Sequence, residues 1–235
     1  MPDVVALRAR LAEVRDRIAR AAARAGRDPS HVRLIAVSKT FDAEHVRVLA
    51  QAGQIDFGEN KVQEAQQKRM QTADLRIAWH LVGHLQSNKA RKAAATFDVI
   101  HSIDDPSLVR TIGAAAAEAG RTIELLVQVD LAGEPTKHGA REEQLPAIFE
   151  AAAGCTAVHL SGLMVLPPTT AHPDMARRWF RQLCEVRDRL LAGGVARAML
   201  TELSMGMSQD YEIAIEEGAT LVRVGTALFG SRRAF

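Results

Sequence analysis

Apolar residues near the start of the chain fall at Leu7, Leu11, Val14 and Ile18. Those spacings of four, three and four trace one stripe of a helix, with Arg8, Arg10, Glu13, Arg15 and Arg17 on its other faces. The pattern predicts a leading amphipathic helix over 1–26, packed on a larger body and turning a solvated, Arg-rich face outward. After "GRDPS" the period changes. "VRLIAVSK" is short, continuous, β-branched and closed by a polar turn, which reads as a strand buried on both faces. Similar runs recur at "QIDFGEN", "IAWHLVGH", "FDVIHSI", "TIELLVQVDL", "AVHLSGLMV", "AMLTELSM" and "TLVRVG". Helical patterns such as "DAEHVRVLAQAG", "REEQLPAIFEAAAG" and "MARRWFRQLCEVRDRLLAGG" separate them. Eight strands alternating with helices predict an α/β fold. No Pro/Gly/Ser-rich linker breaks the alternation, so one domain over 1–235 is expected, a single (β/α)8 TIM-like barrel with an additional N-terminal helix. A doubly wound open sheet is the weaker alternative, because "VGHLQSNK" and the other strand-to-helix turns lack GxGxxG.

Composition narrows the class of partner. The 235 residues carry 30 basic and 28 acidic side chains, interleaved rather than blocked, for a net charge of +2. That balance argues against nucleic acid as a partner, and the mixed surface leads us to expect a monomer. No apolar run approaches the ~18 residues of a membrane span. The N-terminus carries Asp3, Glu13 and Asp16 and lacks an apolar core, unlike a signal or transit peptide. Cys155 and Cys184 sit in no metal-ligand spacing, so no metal is expected and a reducing cytoplasm is. Only six of the basic residues are lysine, which directs attention to Lys39 and Lys137.

In a barrel of this kind the chemistry belongs at the C-terminal ends of the strands. Lys39 is expected to end strand one, Asn60 to follow strand two, His84 to follow strand three and Ser102 to end strand four. Lys137 falls in the loop after strand five, Met164 and Ser204 at the ends of strands six and seven, and Arg223 within strand eight. A lysine at the top of a packed barrel is partly desolvated, which favours its neutral, carbonyl-capturing form. Ser204, Gly206 and Ser208 open a helix after strand seven, and Gly225 and Thr226 follow strand eight. Two small-residue loops at those positions read as a phosphate clamp. An amine and a phosphate clamp on one face suit pyridoxal 5′-phosphate (PLP) or a phosphorylated sugar aldehyde, and Arg223 is a candidate partner for a pyridine nitrogen.

The strings "LIAVSKT", "DFGENKVQEA", "WHLVGHLQSNK", "VIHSID", "GLMVLPP" and "LSMGMSQDYEIAIEEGATLVRVGTALFGSR" resemble the YggS/PROSC family of PLP-binding (PLP homeostasis) proteins and, more distantly, the alanine racemase N-terminal barrel. The resemblance covers nearly the whole chain. It implies an internal aldimine on Lys39, with Asn60 and Met164 beside the cofactor. It places Ser204, Ser208, Gly225 and Thr226 at the phosphate, Arg223 at the pyridine nitrogen and Lys137 near the phosphate; Gly206, in the same loop, is expected to contact the cofactor as well. Two departures stand out: "TFDAEHV" lacks a proline soon after "SKT", and Asp130 stands where Asn is expected.

A charged Arg223 would keep the pyridine nitrogen unprotonated and weaken the ring as an electron sink. The chain ends at Phe235 directly after strand eight, so no racemase C-terminal domain is expected, and the sole tyrosine, Tyr211, belongs to the phosphate-loop helix. The expected function is therefore PLP homeostasis and carriage without dedicated turnover, with apo PLP enzymes as transient partners and related B6 vitamers as further ligands. A PLP-dependent amino-acid racemase or lyase is the alternative, with His84 as candidate proton shuttle; a Schiff-base aldolase is the third reading.

Overall fold

The computed structural model describes residues 2–133, 138–168 and 173–230. Among these, eight parallel strands close in sequence order into a barrel: β1 (Arg33–Val37), β2 (Asp56–Glu59), β3 (Ala78–Leu81), β4 (Val99–Ile103), β5 (Ile123–Gln128), β6 (Val158–Met164), β7 (Glu202–Met207) and β8 (Leu221–Val224). The helices α1 (Val4–Arg24), α2 (Ala43–Gln51), α3 (Val62–Gln71), α4 (Ala90–Thr96), α5 (Pro106–Glu118), α6 (Leu145–Ala153), α7 (Arg177–Ala192), α8 (Tyr211–Glu216) and α9 (Thr226–Phe229) complete the chain. All eight predicted strands are present, and the leading helix is α1.

The side-chain alternation of a strand explains the two cores. In β1, Leu34 and Ala36 join the large apolar cluster between barrel and helices, whereas Ile35 and Val37 join a smaller one inside the barrel with Val82, Val99, Leu126, Met164 and Leu221. Burying each large aliphatic side chain contributes roughly 1.5–3 kcal/mol. The leading helix follows the same logic: Asp3 accepts from the Ala6 N–H at 3.0 Å, and Leu7, Leu11, Val14 and Ile18 are buried. Its arginine face is only partly solvated, because Arg17 and Arg24 pair with Glu212, and Arg24 also with Glu216, on α8.

The sequence departures have local consequences only. Asp42 accepts from the His45 N–H and starts α2 without a proline, and Asp130 Oδ1 accepts from the Ala132 and Gly133 N–H groups, turning the chain after β5. No described helix is long and apolar enough to cross a membrane.

Candidate functional site

A cavity of about 700 Å³ opens where the βα loops gather at the C-terminal ends of the strands. Lys39, Asn60, His84, Ser208, Arg223, Gly225 and Thr226 all line it, so seven positions scattered over the sequence meet around one space. Met164, Ser204 and Gly206 do not line it, although the sequence placed them with the others. Met164 ends β6 as expected, but its side chain is fully buried in the interior cluster. Lys137 lies outside the described residues.

Lys39 follows β1 by two residues and is half-buried. Both of its neighbours are held by one charged network from β2 and α3. The buried Ser38 hydroxyl donates to Glu59 Oε1 at 2.7 Å, and the Ser38 carbonyl accepts from Lys68 Nζ at 2.8 Å. That same ammonium donates to Glu59 at 2.6 Å and to Glu64 at 2.9 Å. Glu64 Oε1 in turn accepts from the Thr40 N–H at 2.7 Å. Thr40 has φ +70°, a left-handed conformation costing on the order of 1–3 kcal/mol in a non-glycine residue, and the Glu64 bond holds it there. Desolvation raises the Glu59 carboxyl against the pull of Lys68, and its second oxygen is buried without a partner among the described residues.

Arg223 forms part of the cavity floor. Its Nη1 donates to Ser204 Oγ at 2.6 Å and its Nη2 to the Val165 carbonyl at 2.8 Å. Burial pushes the guanidinium down to about 10, still well above neutrality, so it is charged when the protein functions. The Ser204 expectation is corrected here. The residue sits inside β7 rather than at its end, fully buried, with its hydroxyl engaged by Arg223 and His101 below the cavity. Gly206 is likewise a packing residue: with φ +92° and an added Cβ only 2.6 Å from that of Ala214, it lets α8 close on β7.

Beside the end of β1, where β8 pairs with it, lies a corner built mainly from backbone donors. Ser208 Oγ accepts from the Gly225 and Ala227 N–H groups, both at 3.2 Å, where α9 begins at Thr226. Asp210 shapes the preceding loop by accepting from the Met207 N–H at 2.6 Å. Its burial raises its pKa, which Arg223 opposes. Amides and hydroxyls converging without a carboxylate on Ser208 make this the natural seat for an anion.

On the third side His84 stacks face to face on His138, with centroids 3.4 Å apart and planes 7° from parallel. Asp104 Oδ2 stands 3.8 Å from His84 Nδ1. Desolvation, and then His138, lower the His84 pKa. These three residues bring one ligand atom each to within 4.8 Å of one another, yet parallel rings aim their lone pairs alongside each other rather than at one centre. Tyr211, at the start of α8, is buried with its hydroxyl outside the cavity lining.

Sequence patterns missed Glu59, Glu64, Lys68 and Gly83. A lysine on a polar helix reads as surface, and only the three-dimensional turn buries Lys68. Gly83 has a plainer signal, a glycine two residues past the end of β3: its added Cβ would lie 2.4 Å from the Asn60 carbonyl oxygen, so these two cavity loops pass too closely for any side chain there.

The alanine racemase N-terminal domain family matches residues 9–233. The pyridoxal phosphate homeostasis protein of Aquifex aeolicus is 40% identical over 95% of this chain and 97% of the relative. That of Pseudomonas aeruginosa is 43% identical over 94% of each. The solved structure of PipY from Synechococcus elongatus with PLP bound aligns with a TM-score of 0.83 at 40% identity, covering 95% of this chain and 100% of PipY. An alanine racemase of Clostridium difficile shares the fold at a TM-score of 0.72 and 16% identity, covering 97% of this chain and 57% of the racemase.

Proposed function

Because the chain belongs to the alanine racemase N-terminal domain family, and within it to the pyridoxal phosphate homeostasis proteins, we propose that it binds PLP covalently through Lys39 and serves to hold and release that cofactor. The observation that carries this reading is the meeting of Lys39, Arg223 and the Ser208–Gly225–Thr226 corner around one cavity.

The donor set fits the group. An aldehyde calls for an amine, a pyridine nitrogen for a donor, and a phosphate for N–H and hydroxyl groups at a helix start. When bound, PLP supplies an electrophilic aldehyde carbon that condenses reversibly with a primary amine. Lys39 presents that amine from a turn whose two flanking residues are fixed. Ser208, Thr226 and the amides at the start of α9 bind the phosphate, and Asn60 bounds the ring pocket. Arg223 donates to the pyridine nitrogen and, being charged, keeps it unprotonated. A nitrogen so held withdraws few electrons, which suits storage better than carbanion chemistry. As a carrier, working as a cytoplasmic monomer, the protein would pass PLP to apo PLP enzymes and accept other phosphorylated B6 vitamers.

Reduction of the PLP-saturated protein with borohydride, followed by peptide mapping, should leave a pyridoxyl mass on Lys39. An unmodified Lys39 in that sample would overturn the assignment. One observation favours a second reading, amino-acid racemisation: His84 brings an imidazole to the cavity beside Asp104. Solvent deuterium should then enter the α-carbon of amino acids faster than in Lys39→Ala, and exchange no faster than that control removes it.

A further inference from the structure

The barrel interior beneath Arg223 holds polar side chains joined end to end. Arg223 Nη1 donates to Ser204 Oγ at 2.6 Å, and Ser204 Oγ lies 2.8 Å from His101 Nδ1. His101 Nε2 lies 2.9 Å from His80 Nδ1, and His80 Nε2 lies 3.0 Å from Asp56 Oδ1. That last oxygen also accepts from Arg33 Nη2 at 2.8 Å. His80, His101 and Ser204 are fully buried. The chain therefore runs from the cavity floor to the first residues of β1 and β2, at the opposite end of the barrel.

Its polarity follows from the chemistry of its ends. Burial would raise Asp56, but the bonds from His80 and Arg33 outweigh it and hold the carboxyl down to about 2, so it is charged and can only accept. His80 must then carry its proton on Nε2, which leaves Nδ1 an acceptor when the ring is neutral. His101 must donate from Nε2 and accept at Nδ1. Ser204 gives its hydroxyl proton to His101 and offers a lone pair to Arg223. Every bond of this series points from the cavity toward Asp56, and the Ser204 hydroxyl and all four imidazole nitrogens are paired with both rings neutral. Burial is the main cause that keeps His101 from protonating, and with His80 neutral the positive charges of Arg223 and Arg33 push the same way. The charged groups around the pair are Arg33, Asp56, Glu124 and Glu202 at the lower end, and Arg223 with Asp210 above.

We propose that His101 and His80 are positioning residues for Arg223: anchored on Asp56, they make the Ser204 hydroxyl an obligate acceptor and so fix which Arg223 N–H groups remain for the pyridine nitrogen of PLP. The claim rests on the PLP reading above only for the identity of the ring that Arg223 meets. An apolar interior would take the acceptor away from Nη1 and leave the guanidinium held by the Val165 carbonyl alone.

The wild-type protein supplies the first test. Nitrogen NMR of the imidazoles at neutral pH should show His80 and His101 both neutral and both protonated on Nε2. An Nδ1–H tautomer or an imidazolium at either position would overturn the proposal. Substitution supplies the second. His101→Leu removes the acceptor for Ser204, whereas His101→Asn keeps an oxygen near the Nδ1 position. His101→Leu should shift the visible absorbance of bound PLP and weaken its binding about tenfold, the scale of one buried hydrogen bond to a charged group. His101→Asn should restore both. An unchanged spectrum and affinity in a folded His101→Leu protein would overturn the proposal. Borohydride capture on Lys39 separates the two claims: its absence in wild type would sink the PLP reading while leaving the tautomer result to stand or fall by itself.

Discussion

The two walls of the cavity hold their chemistry by different means. On the β1–β2–α3 side, Lys39 lies between residues clamped by Glu59, Glu64 and Lys68, charged groups folded into the protein. On the β7–β8 side the ligating groups are amides and hydroxyls joined by contacts of ordinary length. The contrast follows what each wall must do. A reacting amine has to be aimed, and buried ion pairs aim well but fail badly when one member is lost. A phosphate has only to be received. Backbone donors do that, and no substitution short of proline deletes them.

The sharpest way to break this comparison is Lys68→Met. Lys68 and Glu59 are both buried, so removing the ammonium strands a carboxylate, and the loss should be about 3–5 kcal/mol by chemical denaturation. Burial already raises Glu59. Without Lys68 the carboxyl must fold protonated, so the deficit should shrink as pH falls toward the ordinary glutamate range. A loss below about 1 kcal/mol would mean that the charged wall contributes little.

Next in size is Gly83→Ala, which sets a methyl 2.4 Å from the Asn60 carbonyl oxygen and forces one cavity loop to move. A stability loss of roughly 1–3 kcal/mol is expected, together with weaker PLP binding as Asn60 shifts. Gly225→Ala is the matched change on the anion side, where the methyl would approach the Val37 carbonyl at 3.3 Å and should cost less. Equal losses in the two variants would erase the asymmetry.

The axis beneath both walls adds a pH signature. His101 is held well below its ordinary 6.5, first by desolvation, with the positive charge of Arg223 pushing the same way. The unfolded chain therefore binds a proton that the folded one refuses. Above about pH 6.5 this group costs the fold nothing. As pH falls below that value stability should drop by up to about 1.4 kcal/mol per pH unit until the folded group titrates. His101→Asn should flatten that slope in a series of thermal or denaturant melts, and an unaltered slope would assign the acid sensitivity elsewhere.

Local pattern carried the fold far, and part of the site. All eight strands were legible because a strand buried on both faces is a short apolar run between helical periods. Arg223 lies within β8 as expected, and the strand-end rule pointed to Lys39, Asn60 and His84, which line the cavity. It misplaced Ser204 for a definite reason: "AMLTELSM" reads as one strand, but Arg197–Met199 form a short 3₁₀ turn and β7 runs on to Met207. The end therefore moves past Ser204, whose side chain turns into the barrel. His80 and His101 were inside predicted strands, yet nothing local says that two histidines in different strands touch. Their meeting depends on the register of His80 with Val99 across β3 and β4, a property of the closed sheet alone.

The smallest effect expected is Ser208→Ala, and its smallness is the informative part. The Ser208 oxygen accepts from the Gly225 and Ala227 amides at 3.2 Å, so it occupies two of the donors that a phosphate would use. Truncation removes one hydroxyl donor to the anion but releases both amides to it. These changes oppose each other, and the net loss of PLP affinity should stay within about 0.5–1.5 kcal/mol, the range for one neutral hydrogen bond. Titration of the variant with PLP, followed by its visible absorbance, measures this directly. An affinity reduced by only a few-fold, with capture on Lys39 intact, is the outcome a backbone-built corner requires. Complete loss of binding would mean that the hydroxyl itself grips the phosphate, and the two walls would then depend equally on single side chains.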